Sequence, residues 1–273
     1  MRRCLRAVSS RAIWAALALT TLLLFAACTT PTEAPAVPIS EPTAIPPEKP
    51  AVPTETVEAA TATIAAVTGP VIFTTEDGIS LAGTMYGGGD TVTLLVNMQG
   101  ASQDTWQPFA ETVAEAGYAA FTFDYRGLGK SEGKADDLAV GEDATAAIGY
   151  LHNQGFREIV LIGASLGGIA VARHSHAADV AGLALVSTPR GFQEMVITDG
   201  DLVYIGYPKL FVVSEDDEPF ATDIPAMYAL ASPPKDLKVF SGSAHGTFLF
   251  DGEHKAEFEE LLLDLIREAA KDS

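Results

Sequence analysis

Glu158-Ile-Val-Leu-Ile-Gly-Ala-Ser165-Leu-Gly-Gly168 decides how this 273-residue chain is read. Glu158 to Ile162 reads as a buried strand, and Leu166 to about His174 reads as a helix. Between them stands Gly163-Ala164-Ser165-Leu166-Gly167, a G-x-S-x-G turn. The spacing has a physical cause. A serine at a sharp strand-to-helix turn is held in a strained conformation, and its neighbours must be nearly without side chain for strand and helix to approach. The helix N-terminus beneath it favours negative charge. Ser165 is therefore the candidate nucleophile, and the context on both sides separates it from a chance glycine turn.

Outward from that turn the chain alternates strands with helices. Upstream, Val71–Thr75 and Ile79–Tyr86 form an expected hairpin around Asp77-Gly78. Strands follow over Thr91–Asn97 and Tyr118–Asp124, and helices over about Thr105–Glu115 and Gly141–Asn153. Downstream, strands are expected at Val180–Val186, Lys209–Val213 and Leu237–Phe240. A final helix, about Lys255–Ala270, carries Phe258, Leu261, Leu262, Leu265 and Ile266 on one stripe. This order implies an α/β fold, a mostly parallel twisted sheet of about eight strands with helices on both faces. Ligand sites in such sheets form at the carboxyl ends of the strands.

An activated serine hydroxyl needs a base and a group to orient that base. Of five histidines, His152 and His254 fall in expected helices, and His174 and His176 at a helix end. Only His245, in Ser241-Gly-Ser-Ala-His245-Gly246, follows a strand. The acid should come from a strand end between Ser165 and His245. The strand beginning at Lys209 runs into Ser214-Glu-Asp-Asp-Glu218, where Asp217 is the first candidate and Asp216 the second. A solvated acidic loop is the alternative reading of that cluster, and it suits Glu215 and Glu218.

The order Ser165, Asp217, His245 is that of the α/β-hydrolase triad, and from about Val71 onward the chain resembles that family. Asp124-Tyr-Arg-Gly-Leu-Gly-Lys-Ser131 is similar to the family's D-x-R-G-x-G-x-S loop. Trp106 and Phe109 stand where its first helix begins. Gln99-Gly100-Ala101 stands where the family often has His-Gly-x. The resemblance implies backbone oxyanion donors at Ala101 and Leu166, and hydrolysis of an ester or related acyl bond through an acyl-enzyme. A peptidase, an acyltransferase or a cofactor-free haloperoxidase uses the same groups, and a surface-tethered binding protein without activity is the reading from another class. Asp124 and Arg126 read as structural. Only about twenty residues separate Thr188 from Lys209, so no large cap domain is expected and the substrate is a small acyl compound. No metal and no organic cofactor is called for.

Apolar residues make up 48% of the chain, enough for a core, and 17 Lys+Arg stand against 36 Asp+Glu. That balance argues against nucleic acid as a partner, since a phosphate-binding surface concentrates positive charge. The two cysteines, Cys4 and Cys28, lie outside the region that reads as folded. This excludes a disulfide framework, a cysteine-based zinc site and a catalytic thiol there.

Residues 1–27 read as a signal peptide, with Arg2, Arg3, Arg6 and Arg11 ahead of an apolar run from Ala12 to Ala27. Leu24-Phe-Ala-Ala-Cys28 resembles the lipobox of a bacterial lipoprotein, which implies lipidation at Cys28 and an extracytoplasmic, membrane-anchored protein; the alternative reading is an uncleaved N-terminal membrane anchor with an incidental cysteine. Residues 28–68, rich in Pro, Thr and Ala and lacking aromatics, read as a disordered tether that cannot bury enough apolar surface to fold. Residues 69–273 are the expected folded domain.

Overall fold

The computed structural model describes residues 68–177 and 179–271. The expected signal peptide, Cys28 and the tether as far as residue 67 lie outside the described residues.

Ten strands and six helices succeed one another in the described chain: β1 (Gly69–Thr74), β2 (Ser80–Tyr86), β3 (Thr91–Val96), α1 (Gln107–Glu115), β4 (Ala119–Phe123), α2 (Val140–Asn153), β5 (Glu158–Ala164), α3 (Leu166–Ala172), β6 (Val180–Val186), β7 (Gly191–Phe192), β8 (Met195–Val196), α4 (Gly200–Val203), β9 (Lys209–Ser214), α5 (Phe220–Leu230), β10 (Lys235–Phe240) and α6 (Lys255–Ala269). Eight of the strands form one sheet in the order β1-β2-β4-β3-β5-β6-β9-β10. β2 pairs antiparallel with β1 and with β4, and every pairing from β4 through β10 is parallel. The order reverses beside β3, so the exits of β3 and β5 open side by side. That is where an α/β sheet leaves a crevice.

Alternation along the central strands assigns the two faces. Ile159 and Leu161 of β5, with Phe211 and Val213 of β9, join the core that includes Ala144, Ile148 and Leu151 of α2 and Ile169 of α3. Their neighbours Val160, Ile162, Leu210 and Val212 join the opposite core, with Phe109 and Val113 of α1 and Phe258, Leu262 and Ile266 of α6. Burying each large side chain of this kind contributes about 1.5–3 kcal/mol relative to leaving it in water. The sheet is thus covered on both faces, and the rims at the strand ends remain for chemistry.

The main departures of the structure from the sequence expectations are three. α5 is not among the expected helices, because Pro225 falls inside it and removes a helical hydrogen bond. The segment between β6 and β9 holds the two-residue strands β7 and β8, paired with each other, besides the short α4. Strand β10 begins at Lys235, two residues before the expected start, since its half-buried lysines and exposed Asp236 hide the period. No helix among the described residues is long and apolar enough to cross a membrane.

Candidate active site

Ser165 joins β5 to α3 with φ 52° and ψ −119°, a conformation a non-glycine residue adopts only under strain. Tight packing holds it there. A Cβ at Gly163 would sit 2.4 Å from the Gly167 carbonyl oxygen, and one at Gly167 would sit 2.5 Å from the carbonyl oxygens of both Val96 and Asn97. These glycines are required because backbone meets backbone, which no rotamer change relieves. The Ser165 amide donates to the Val186 carbonyl at 2.8 Å, which ties the turn to the end of β6.

Asp217 and His245 meet as the sequence order suggests. Nδ1 of His245 lies 2.9 Å from Oδ2 and 3.1 Å from Oδ1 of Asp217. Asp217 is 8% exposed, whereas Asp216 and Glu215 are exposed and their side chains have no partner among the described residues. The pairing is built by the exits of two adjacent strands. Glu215 N–H donates to Phe240 O, Asp216 N–H to Gly242 O, and Ser214 Oγ to Ala244 O, at 2.8, 2.9 and 2.7 Å. Those three bonds fasten the loop carrying the acid to the loop carrying the histidine. Nε2 of His245 has no hydrogen-bond partner among the described residues, and the Phe220 ring packs against the imidazole at a centroid distance of 4.3 Å.

The His245 loop also reaches the Ser165 turn. Gly246 N–H donates to Ser187 Oγ at 3.0 Å, and Ser187 directly follows Val186, the residue that holds the Ser165 amide. A Cβ at Gly246 would meet Ala164 Cβ at 3.4 Å and Met98 Sδ at 2.4 Å. Ser165, the β3 exit and His245 therefore share one small region at the carboxyl ends of the strands.

The two expected oxyanion donors fare differently. The Leu166 amide, in the first turn of α3, has no acceptor among the described residues. The Ala101 amide does have one: it donates to the Met98 carbonyl at 3.2 Å, closing a turn in which Gly100 has φ 71°. Glycine at the third position of Met98-Gln99-Gly100-Ala101 is the signature of a type II turn, whose fourth residue turns its N–H inward. In this structure the Ala101 amide is therefore engaged within its own turn rather than left without an acceptor. Within this turn the amides of Met98, Gln99 and Gly100 have no acceptor among the described residues. Gln99 itself points its side-chain amide toward Asp137 Oδ2, at 2.5 Å.

Asp124 and Arg126 are structural. Asp124 accepts from Gln103 N at 2.8 Å and Gln103 Nε2 at 3.0 Å, which pins the loop after β3 to the loop after β4. Arg126 spans Asp143 at 2.8 Å and Asp77 at 2.9 Å. Beneath them Tyr125 donates to the Asn97 carbonyl at 2.9 Å. Burial, helped by the Asp143 and Asp137 charges, pushes the Tyr125 hydroxyl well above its ordinary pKa, so it remains a protonated donor. The other histidines have local partners: His152 with Asp179, His174 with Thr145, His176 with Gly200 and His254 with Ser241. A groove of about 530 Å³ between β1 and α2, lined by Phe73, Glu76, Glu142 and Tyr150, includes none of Ser165, Asp217 and His245. Residue chemistry, rather than cavity size, marks the site. Among the described residues no group of three or more His, Cys, Asp or Glu is placed to hold a metal.

Sequence reasoning misses Phe220 and Ser187. Neither carries a local signal, because each matters through a residue distant in the chain. The Met98–Ala101 turn does carry one, in its glycine.

A twisted eight-stranded sheet of this order, with a strained serine after β5 and a histidine after β10, is the α/β-hydrolase fold. The family model described as the alpha/beta hydrolase family matches residues 93–206, a stretch that includes Ser165 and ends before Asp217 and His245. An uncharacterized protein of Salmonella typhi, YfhR, is 25% identical over 238 residues, covering 73% of this chain and 81% of its own. Among solved structures, the Pyrococcus furiosus esterase Pf2001 superposes with a TM-score of 0.60 at 20% identity, over 74% of this chain and 94% of its own. The esterase EaEST of Exiguobacterium antarcticum superposes with a TM-score of 0.63 at 15% identity, over 72% and 99%. At these identities the structural likeness establishes the fold.

Proposed function

We propose that the chain is a serine hydrolase that cleaves an ester or related acyl bond through a Ser165-His245-Asp217 triad. One observation carries the reading. The His245 imidazole is clamped through Nδ1 by a nearly buried carboxylate, its Nε2 is left unpartnered, and its loop is tied to the strained Ser165 turn. The match to the alpha/beta hydrolase family and the esterase neighbours support an esterase-type hydrolase.

In this mechanism Nε2 of His245 takes the Ser165 proton as Oγ attacks the acyl carbon. The Nδ1–H donates to Asp217, which holds the neutral tautomer and then stabilises the imidazolium. The developing oxyanion accepts from the Leu166 amide and from a free amide of the Met98–Gly100 turn. Such a donor is worth about 3–4 kcal/mol where one has been removed in other hydrolases. The C–O bond breaks, and His245 returns the proton to the leaving alcohol. Water, deprotonated by the same Nε2, then attacks the acyl-enzyme and releases the acid and free Ser165. No other group is needed to balance these steps.

The short β7–β8 ribbon and α4 are all that stands between β6 and β9, which favours small, soluble acyl substrates over large ones. The leader and Cys28 support an extracytoplasmic, lipid-anchored location. The test is turnover of p-nitrophenyl acetate and butyrate, together with labelling by a fluorophosphonate probe. Wild type should hydrolyse and be labelled on Ser165, and Ser165→Ala should do neither. Turnover that survives Ser165→Ala would overturn the reading.

A further inference from the structure

Three non-glycine residues among those described adopt positive φ: Ser165, Ser187 and Gln193. The first is the elbow serine and the third lies in the β7–β8 ribbon. Ser187 has φ 45°, no solvent exposure and no part in the mechanism above. A glycine takes this conformation without steric penalty, whereas a serine is strained in it. What serine has and glycine lacks is the hydroxyl, and that hydroxyl accepts the Gly246 N–H at 3.0 Å.

The position of this bond gives it meaning. The dipeptide Val186-Ser187 touches the strand or loop of every triad member. Val186 O accepts the Ser165 amide at 2.8 Å, and the Ser187 amide donates to Val212 O on β9, the strand that leads to Asp217, also at 2.8 Å. Ser187 Oγ then holds the residue next to His245. Gly246, buried with φ 56° and directly after the base, is thereby held through its own amide by the Ser187 hydroxyl.

We propose that Ser187 is a positioning residue for the reaction, a clasp that fixes the His245 loop to the β6 end from which Ser165 also hangs. The proposal rests on the serine-hydrolase reading above. Its consequence is selective. Ser187 touches neither substrate nor reacting atoms, so its loss should lower kcat and leave KM for small esters nearly unchanged.

Ser187→Gly relieves the strained φ while deleting the hydroxyl, and Ser187→Ala deletes the hydroxyl while keeping the strain. Both should lower kcat on p-nitrophenyl butyrate about 10- to 100-fold, the scale of a misplacement of about 1 Å. KM should stay within threefold, and fluorophosphonate labelling of Ser165 should slow in parallel. The melting temperature of Ser187→Gly should stay close to wild type, because relief of the strained φ offsets the unpaired Gly246 N–H, and this separates positioning from unfolding. If Ser187→Ala fails to fold, Ser187→Gly alone decides. Wild-type kcat in a folded Ser187→Gly, or a loss that follows KM alone or unfolding alone, would overturn the clasp. Those results leave the hydrolase reading intact, because that reading fails separately, through absent wild-type turnover or an active Ser165→Ala.

Discussion

Asp217→Asn isolates the contribution of one charge at the proposed site, because the amide keeps the shape of the carboxylate. In the native arrangement both carboxylate oxygens lie within 3.1 Å of His245 Nδ1. When Ser165 attacks, the imidazole becomes an imidazolium whose charge sits roughly 4 Å from the centre of the carboxylate. Two opposite unit charges at that distance attract by about 4 kcal/mol at the effective dielectric suited to protein sites. Asp217 is nearly buried, so water does little to replace the attraction. A loss of about 4 kcal/mol from the transition state is about 10³-fold in kcat. A second effect adds to it. The NH2 group of the substituted amide can donate to Nδ1 and select the tautomer that carries its proton on Nε2, which cannot accept from Ser165; in a serine protease the equivalent change lowers kcat about 10⁴-fold. The expected outcome is therefore a 10³- to 10⁴-fold fall in kcat on p-nitrophenyl butyrate with little change in KM. Asp216→Asn is the matched control, since its exposed carboxylate has no partner among the described residues, and it should remain within threefold of wild type. Equal losses in the two variants, or an Asp217→Asn enzyme retaining a tenth of wild-type kcat, would refute the assignment.

Other perturbations test neighbouring parts of the structure. In Gly167→Ala the new Cβ falls 2.5 Å from two backbone carbonyl oxygens, where ordinary contact begins at 3.4 Å; the elbow must move away from the β3 exit by nearly 1 Å, and kcat should fall about 10²-fold with a loss of about 1–3 kcal/mol in urea unfolding. Burial, reinforced by Lys235, lowers the Lys209 ammonium from 10.5 to about 8. Between pH 8 and 10.5 the unfolded chain then binds a proton that the folded chain does not, so wild-type stability should rise with pH relative to Lys209→Met across that window; unfolding midpoints measured at the two ends of that window whose difference stays constant would contradict this. Cys28→Ser should abolish incorporation of radiolabelled palmitate and move the protein out of the membrane fraction, and unchanged labelling would exclude Cys28 as the lipidation site.

How much of this is legible in the sequence depends on whether the deciding interaction is local. The strand-turn-helix around Ser165 is legible because its glycine spacing falls between an apolar run and a helical stretch, even though Gly167 answers to Val96 and Asn97 on the neighbouring strand, and β3, β5, β6 and β9 are legible because their apolar runs suit a sheet covered on both faces. α5 is hidden by Pro225, whose local penalty is outweighed by Ile224 and Met227 packing into the core. The engagement of the Ala101 amide is hidden for a subtler reason. An alignment of Gln99-Gly100-Ala101 carries a role along the chain by position, but which N–H stays free is set by turn type, and Gly100 selects a turn that consumes the one at Ala101. Ser187 marks the far limit of sequence reading. In Leu-Val-Ser-Thr-Pro it looks like any polar strand exit, and nothing in a serine reports the sign of its φ. Only the fold shows that sign and the partner across 59 residues that gives the strain a use. Strain that is retained where glycine would relieve it points to a side chain with a task, and at Ser165 and Ser187 alike that side chain carries a hydroxyl.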